Sequence, residues 1–248
     1  MKVSIITVTF NSEKYLEQCI NSIINQTYTN IEYIIIDGNS SDKTKDIIQK
    51  YLENVSVFIS EKDSGIYDAI NKGIERSTGD IIGLLHSDDM LHDINVISRI
   101  VDSFESDTDC VYSDSYFINK VSNNKTRFYS SKNFSNWMFS IGLMPSHPTI
   151  YFKSKILKKH PLYDIKFKIA SDFDLILRHF IIYRSKSKYI KDLWVIMREG
   201  GVSTLGYKSK LQITNEVLKS CKANNIYTNK ILLSVRFIFK LFGYINFN

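Results

Sequence analysis

The feature that most constrains the fold is a regular alternation of strand-like and helix-like segments in the first 110 residues. Four runs rich in isoleucine and valine are predicted strands, at residues 2–10, 31–37, 55–60 and 81–85. Segments with apolar residues at helical spacing are predicted helices, at residues 15–24, 44–52, 66–74 and 96–104. Strands that alternate with helices pair in parallel through right-handed crossovers. The sequence therefore predicts an α/β fold with a mostly parallel central sheet flanked by helices.

Acidic and amide side chains follow the predicted strands. They are Asn11, Asp37, Asp63, Asp88 and Asp89. Ligands of open α/β sheets bind outside the carboxyl ends of the strands. Carboxylates that collect at this edge therefore indicate a binding site rather than a solvated rim. Asn11 or Ser12 is also the predicted cap of the first helix.

The stretch "GLLHSDDM", residues 83–90, ends an apolar run with two adjacent aspartates. A turn that leads into the next helix needs only one of them, and two neighbouring carboxylates repel each other. A hard divalent cation that also holds a diphosphate takes one or two carboxylates. Both interpretations of this stretch are open from its residues alone.

The composition limits the classes of function. With 44% hydrophobic and 23% charged residues, the chain resembles globular proteins with a sizeable core. The net charge is +6, and lysine-rich stretches at 153–160 and 184–191 make the second half basic. A basic half favours phosphate-bearing substrates or an anionic membrane surface. No nucleic-acid-binding signature is present, so we expect no nucleic-acid partner.

The cysteines and the hydropathy pattern indicate a compartment. Cys19, Cys110 and Cys221 are far apart and have no zinc-ligand spacing, which favours free thiols in a reducing cytoplasm. No secretory signal opens the sequence, and no apolar run reaches the roughly 18 residues of a membrane span. We therefore expect a cytoplasmic protein.

The second half is less regular. Its predicted elements are a hairpin of strands 110–119 and 125–130, a strand at 147–152, a helix at 171–182 with an acidic first turn, a strand at 193–197, a loop at 200–204 and a helix at 208–223. The tail 230–247 is apolar and aromatic with interleaved basic residues. It is predicted either to lie in a membrane interface or to pack on the domain or a second subunit.

Several separate motifs now fit one family. "ITVTFNS", "IEYIIIDGNSSD" and "SEKDSGIYDAINKGIERSTGDIIGLLHSDD", followed by "HPT", "ASDFDLILR" and "GGVS", resemble the family 2 glycosyltransferases of GT-A fold. The resemblance is continuous over about the first 110 residues and looser beyond them. It implies a Rossmann-like GT-A domain over 1–220, with a nucleotide-sugar half at about 1–110 and an acceptor half at about 111–220. Residues 221–248 would be a C-terminal helical tail.

The resemblance also implies a reaction and its partners. A nucleotide-diphosphate sugar, a UDP-sugar above others, would donate its sugar with inversion to a hydroxyl of a glycan or lipid-linked glycan. Similar proteins build bacterial surface polysaccharides at the inner face of the cell membrane, and oligomers occur. A divalent metal ion, Mn²⁺ or Mg²⁺, would neutralise the charge that develops on the leaving diphosphate.

By the same resemblance, individual residues acquire expected roles. Asp89 would bind the metal, and Asp88 the metal or the ribose. The remaining nucleotide contacts would be Thr9, Asn11, Asp37 and Asp63. Asp172 in "ASDFDL" matches the catalytic base, although Ser171 stands where a glutamate is common. Asp174 is the alternative base on the acceptor side, where His147 is also expected.

Two positions depart from the family pattern. His86 stands where many relatives have an acidic or amide residue, and we expect it to form a pocket wall. Ile70 stands where many relatives have an arginine before the asparagine of the third helix, Asn71 here. Lys72 would contact the diphosphate instead, or it would be a solvated helix lysine.

Other interpretations stay open at this stage. Asp63 could bracket a turn, and Asp172 could be a plain helix-terminal charge. "GGVST" could be a mobile lid or an ordinary turn. A dinucleotide-binding fold or a sugar nucleotidyltransferase would need a glycine-rich loop after the first strand, where "NSEKYL" stands instead. A non-catalytic relative that binds the nucleotide sugar is the last alternative.

Overall fold

The computed structural model describes residues 1–200 and 206–245. In this part of the chain one sheet has nine strands: Val3–Thr9 (β1), Ile31–Asp37 (β2), Val57–Ser60 (β3), Ile81–Leu84 (β4), Met90–Leu91 (β5), Cys110–Ile118 (β6), Lys125–Tyr129 (β7), Tyr151–Lys153 (β8) and Ser187–Arg198 (β9). The helices are Leu16–Ile24 (α1), Thr44–Gln49 (α2), Ile66–Arg76 (α3), Val96–Asp102 (α4), Ser154–Leu157 (α5), Ser171–Leu177 (α6), Gly206–Ala223 (α7) and Lys230–Ile245 (α8).

The first four strands form the predicted parallel sheet, in the order β3-β2-β1-β4. Every residue of β1 is buried. Because strand side chains alternate between faces, Ile6 packs in the core on one side of the sheet and Ile5 in the core on the other. The helices that follow the strands cover both faces, and the predicted α/β class is confirmed.

The second half extends the same sheet with mixed pairing. β8 is antiparallel to β4 and to β6, and β9 is parallel to β6. The predicted hairpin is present as the antiparallel pair β6 and β7. At the junction of the halves the ring of Tyr151 lies over Gly83, where an added Cβ would come within 2.0 Å of the ring. Glycine is therefore required at that position of β4.

Two predicted boundaries are wrong for local reasons. Neither Asn11 nor Ser12 caps α1 with its side chain: Tyr15 is the capping residue, and the backbone carbonyl of Ser12 accepts the Leu16 N–H. The strand predicted at 147–152 begins only at Tyr151, because residues 147–149 form a 3₁₀ turn. Pro148 lacks the N–H that a central strand must donate.

Two helical predictions also need correction. The helix predicted over 171–182 is α-helical only to Leu177, and Arg178–Ile182 form a wider π turn. On α3 the predicted inward position Ile66 is 45% exposed, whereas Tyr67 is buried in its place. The predicted loop 200–204 is described only at Gly200, and its other residues lie outside the described part of the chain.

Helices α7 and α8 form a C-terminal appendage, which begins earlier than the tail predicted at 221–248. α7 packs against α6, and α8 packs against the turn 136–141 and β7. The boundary expected at residue 220 falls inside α7, three residues before its end. No helix among the described residues is long and apolar enough to cross a membrane. The three cysteines are buried free thiols.

Candidate active site

The loops after β1, β2 and β4 are joined by a chain of hydrogen bonds at the carboxyl edge of the sheet. The Asn11 N–H donates to the Ser40 hydroxyl (2.9 Å), which itself donates to the Asp37 carboxylate. The hydroxyls of Ser12 and Ser87 share a hydrogen bond of 2.9 Å. The structure thereby brings Asn11, Asp37 and the "SDD" turn to one edge.

Asp37 is completely buried at the end of β2. Its Oδ2 accepts hydrogen bonds from the Ser40 N–H (3.0 Å) and the Ser60 hydroxyl (2.6 Å). Directly beside it in register stands Thr9, whose buried hydroxyl has no hydrogen-bond partner among the described residues. Buried polar atoms without a partner are rare, and this one marks a place where a ligand atom would be satisfied.

Phe10, Gly38 and Asp63 meet beside these residues. The Phe10 ring is 63% exposed, which is unusual for a phenylalanine that follows a buried strand. A Cβ at Gly38 would lie 2.6 Å from Oδ2 of Asp63 and 3.3 Å from the Phe10 ring. Asp63 also accepts a hydrogen bond from the Gly65 N–H at 2.9 Å, so it stabilises the turn at Gly65 as one of its two predicted roles requires. An exposed aromatic face beside a carboxylate can stack on a planar base and accept its N–H groups.

Asp88 and Asp89 lie in different environments. Asp88 is about one-third exposed, and its Oδ2 lies 3.6 Å from Nζ of Lys120. Asp89 is 3% exposed, and its Oδ1 accepts the Arg198 N–H at 3.2 Å. Burial and the charge of Asp88 raise the pKa of Asp89 well above its ordinary range. A buried carboxylate next to a second one requires a positive partner to be stable as an anion.

These two carboxylates have the donor chemistry of a magnesium or manganese site. Among the described residues no group of three or more histidine, cysteine, aspartate or glutamate side chains is arranged to hold a metal ion. A hard cation that also binds diphosphate and water needs only one or two protein carboxylates, so the pair fits that role. A closed zinc-type site with four protein ligands does not fit these residues.

A contact chain joins the "SDD" turn to α6. The ring centroids of His86 and His147 are 5.8 Å apart, and Nε2 of His147 shares a 2.8 Å hydrogen bond with the Tyr163 hydroxyl. Tyr163 stacks on Tyr67 with 5.6 Å between the ring centroids. Both tyrosines lie close to Asp172, because burial and the charge of that carboxylate raise the pKa of each of them. Burial lowers the pKa of His86. The pKa of His147 is lowered to about 3, mainly by burial and also by the neighbouring His86. Both rings are therefore neutral at pH 7.

Asp172 is the first-turn carboxylate of α6. Burial raises its pKa to about 6, and hydrogen bonds, among them the one from the Phe173 N–H at 2.8 Å, lower it in part. The carboxylate is therefore charged at neutral pH but binds a proton more readily than an exposed aspartate. Such a group can act as a general base near neutral pH.

Asp174 has a different position from Asp172. Its carboxylate accepts hydrogen bonds from Arg178 (2.7 Å), Ser220 (2.7 Å) and Asn224 (3.2 Å). It therefore attaches α7 to α6, and the structure does not bring it together with Asp172. Lys72 forms ion pairs with Glu61 at 2.7 Å and Asp68 at 3.4 Å.

Sequence reasoning missed four residues of the site. They are Tyr67, Lys120, Tyr163 and Arg198. Tyr67 occupies a buried position on the helix whose apolar spacing was recognised, so that spacing could have identified it. Lys120 follows β6 and Arg198 ends β9, far along the chain from the aspartates, and no local pattern marks either residue.

Several solved structures share the fold of this chain. A S. aureus TarS 1–349 structure in complex with UDP-GlcNAc covers 94% of this chain and 70% of its own length, with a TM-score of 0.67 at 18% identity. The mannosyltransferase PcManGT from Pyrobaculum calidifontis, in complex with GDP-Man and Mn²⁺, covers 93% of this chain and 66% of its own, with a TM-score of 0.68 at 14% identity. This chain spans 39% of a longer S. aureus TarS chain. At these identities the likeness defines the fold, which is GT-A.

The sequence comparison defines the family. Glycosyl transferase family 2 matches residues 4–166, and the chain belongs to that family. A PGL/p-HBAD biosynthesis glycosyltransferase of Mycobacterium bovis is 27% identical over 182 residues, which are 71% of this chain and 69% of the relative. The protein is thus an enzyme, a glycosyltransferase, as the resemblance implied.

The raised pKa of Asp172 predicts a stability effect that depends on pH. A folded-state pKa near 6 exceeds that of the unfolded chain, so the folded protein loses stability as pH rises through 6 and keeps it below about 4. Asp172→Asn should therefore increase the free energy of unfolding by about 3 kcal/mol at pH 8 and by almost nothing at pH 3.5. Urea unfolding at both pH values measures this difference.

Asp174→Asn is the matched control, because it changes a carboxylate on the same helix that has an arginine partner. It should lower stability at pH 8. An Asp172→Asn protein that is no more stable than the wild type at pH 8 would contradict the electrostatic assignment.

Proposed function

We propose that this glycosyltransferase transfers a sugar, with inversion, from a UDP-sugar to an acceptor hydroxyl with the help of a divalent cation. The observation that carries the proposal is the contact chain from the Asp88–Asp89 turn to Asp172. The chain connects Asp88 and Asp89, which are suited to bind a cation, with Asp172, which is suited to act as a general base. Inversion by direct displacement requires these two functions in one cleft.

The donor would bind at the edge formed by the loops after β1 and β2. Phe10 offers an exposed ring for the base, and Asp63 and Asp37 offer acceptors for its N–H groups. The Thr9 hydroxyl and the Asn11 backbone would contact the base and ribose. UDP-GlcNAc and GDP-Man are bound by the two solved neighbours named above, which supports a nucleotide-sugar donor.

Asp89 and Asp88 would hold the divalent cation, Mn²⁺ or Mg²⁺. A bound cation supplies charge neutralisation for the leaving diphosphate. Asp88 would also reach the ribose, because it is the more exposed of the two. The mannosyltransferase neighbour is in complex with Mn²⁺ as well as GDP-Man, which supports this choice of cofactor.

Asp172 would take the proton from the acceptor hydroxyl as that oxygen attacks the anomeric carbon. Tyr67 lies beside its carboxylate, and the neutral His147 would form a wall of the acceptor side together with its hydrogen-bond partner Tyr163. The acceptor would be a glycan or lipid-linked glycan of a bacterial surface polysaccharide. The mycobacterial relative is a glycosyltransferase of PGL/p-HBAD biosynthesis, which supports a biosynthetic role for this chain as well.

Binding and transfer should respond differently to substitution of the two kinds of carboxylate. Asp172→Asn should retain UDP binding and reduce transfer by about a hundredfold or more, because general-base catalysis contributes that much. Asp89→Ala should lose both transfer and the dependence of UDP binding on Mn²⁺. Calorimetry with UDP, and release of UDP from a panel of UDP-sugars, measure the two quantities.

Asp102→Ala is the matched control, since Asp102 is an exposed aspartate at the end of α4. It should change neither binding nor turnover. Near-normal turnover of Asp172→Asn would remove the base from the proposal, and Mn²⁺-dependent UDP binding by Asp89→Ala would remove the metal site.

We also propose that the C-terminal appendage contacts the inner face of an anionic membrane. Ile231 is 79% and Ile238 56% exposed, with Val235 between them on the same face of α8. Residues 206–245 include seven lysine or arginine residues and one acidic residue, Glu216. Glu216 is already engaged with the backbone N–H groups of residues 168–170. An apolar face with a basic surround is suited to anionic lipid.

Vesicle sedimentation tests this contact. The full chain should bind vesicles that contain phosphatidylglycerol and bind pure phosphatidylcholine vesicles weakly. The double substitution Ile231→Glu and Ile238→Glu should reduce binding about tenfold or more, because it removes apolar burial and adds repulsion. Ile94→Glu is the control, as Ile94 is 54% exposed outside the appendage. Unchanged vesicle binding by the double variant would contradict the proposal, and a loss of dimers instead would assign the face to contact between copies.

A further inference from the structure

The turn between β6 and β7 brings a lysine to the donor half of the cleft. Nζ of Lys120 lies 3.6 Å from Oδ2 of Asp88, and both side chains are about one-third exposed. Lys120 belongs to the second half of the chain, whereas Asp88 belongs to the nucleotide-sugar half. Through this contact, the second half of the chain supplies a positive charge to Asp88, the carboxylate proposed to hold a metal ion.

The stem of Lys120 is held in place by its neighbours. The Tyr15 hydroxyl donates to the Lys120 carbonyl at 3.1 Å, and Nζ lies 5.7 Å from the centre of the Tyr15 ring. Cε and Cδ of Lys120 lie 3.4 and 3.6 Å from the Cβ position that a larger residue would have at Gly200. On the other side of the turn, Asn123 accepts a 3.0 Å hydrogen bond from the Arg198 guanidinium. These contacts preorganise the turn, while Nζ remains accessible from the cleft.

The charges of the site leave a place for one more cation. With a cation bound and both groups ionised, Asp88 and Asp89 would carry two negative charges, and a nucleoside diphosphate adds about three at neutral pH. A divalent cation neutralises only part of this charge. Arg198 is 5% exposed, and its side chain is bound to Asn123 and Gln18. Lys72 is paired with Glu61 and Asp68, whereas Lys120 is about one-third exposed and its ammonium faces Asp88.

We propose that Lys120 binds the diphosphate of the donor and stabilises it as the leaving group. With Asp88 engaged by a divalent cation, the Lys120 ammonium would leave that carboxylate and donate a hydrogen bond to a β-phosphate oxygen. As the acceptor oxygen forms its bond to the anomeric carbon, the bond to the β-phosphate oxygen breaks and its electron pair stays on that oxygen. The acceptor proton passes to Asp172. The proposal rests on the proposed function and adds a residue to it.

Binding of UDP and uridine to Lys120→Gln separates this role from others. With Mn²⁺ present, the substitution should weaken UDP about tenfold to a hundredfold, the range of a charge-assisted hydrogen bond, and leave uridine unchanged. Lys120→Arg should recover most of the UDP affinity. Lys125→Gln, a change of a lysine on the same hairpin, should have no effect. Calorimetry on the full chain gives each affinity.

Two results would overturn the proposal. If Lys120 only neutralises Asp88, Lys120→Gln will bind Mn²⁺ more tightly and UDP as the wild type does. If it only supports the fold, uridine affinity will fall together with UDP affinity, and Lys120→Arg will not restore either. A wild-type chain that binds none of UDP, GDP and dTDP would instead overturn the proposed function, and this inference with it.

Discussion

The antiparallel pairing of β4 with β8 positions the two halves of the site. β4 leads directly into His86 and the two aspartates, and β8 follows directly after the turn that begins at His147. In an antiparallel pair the end of one strand lies beside the start of the other. This register is the reason that residues about 60 positions apart in sequence meet at 5.8 Å. The close packing of Tyr151 on Gly83 leaves little freedom for another register.

The described site has unfavourable electrostatics that a bound divalent cation would relieve. Asp89 is buried beside a like charge, and Asp172 has a raised pKa in its buried position. By contrast, Asp174 and Asp93 have arginine partners and serve the architecture. Carboxylates without such partners, collected in one cleft, are typical of functional sites rather than of structural ion pairs.

Much of the first half could be predicted from its sequence because its signals are local. Strands that are buried on both faces appear in the sequence as unbroken apolar runs. The parallel topology then places the residues that follow these strands at one edge of the sheet, where ligands bind. The second half could not be predicted as well. Residues 147–149, which include Pro148, form a turn where a strand was predicted. The contacts of Tyr163 and Lys120 depend on pairings between segments that are distant in sequence. Asp174 is an instructive case, because its partner Arg178 four residues later was a visible sign of a structural role.

The central claim is that carboxylates from both halves surround one cation and one donor. Anomalous diffraction from crystals grown with Mn²⁺ and UDP measures this directly. The account predicts a manganese peak at ligand distance from Asp89 and from the diphosphate, with the uracil ring against Phe10 and Asp172 facing the same cleft. A manganese peak elsewhere, or UDP bound away from this edge of the sheet, would contradict it.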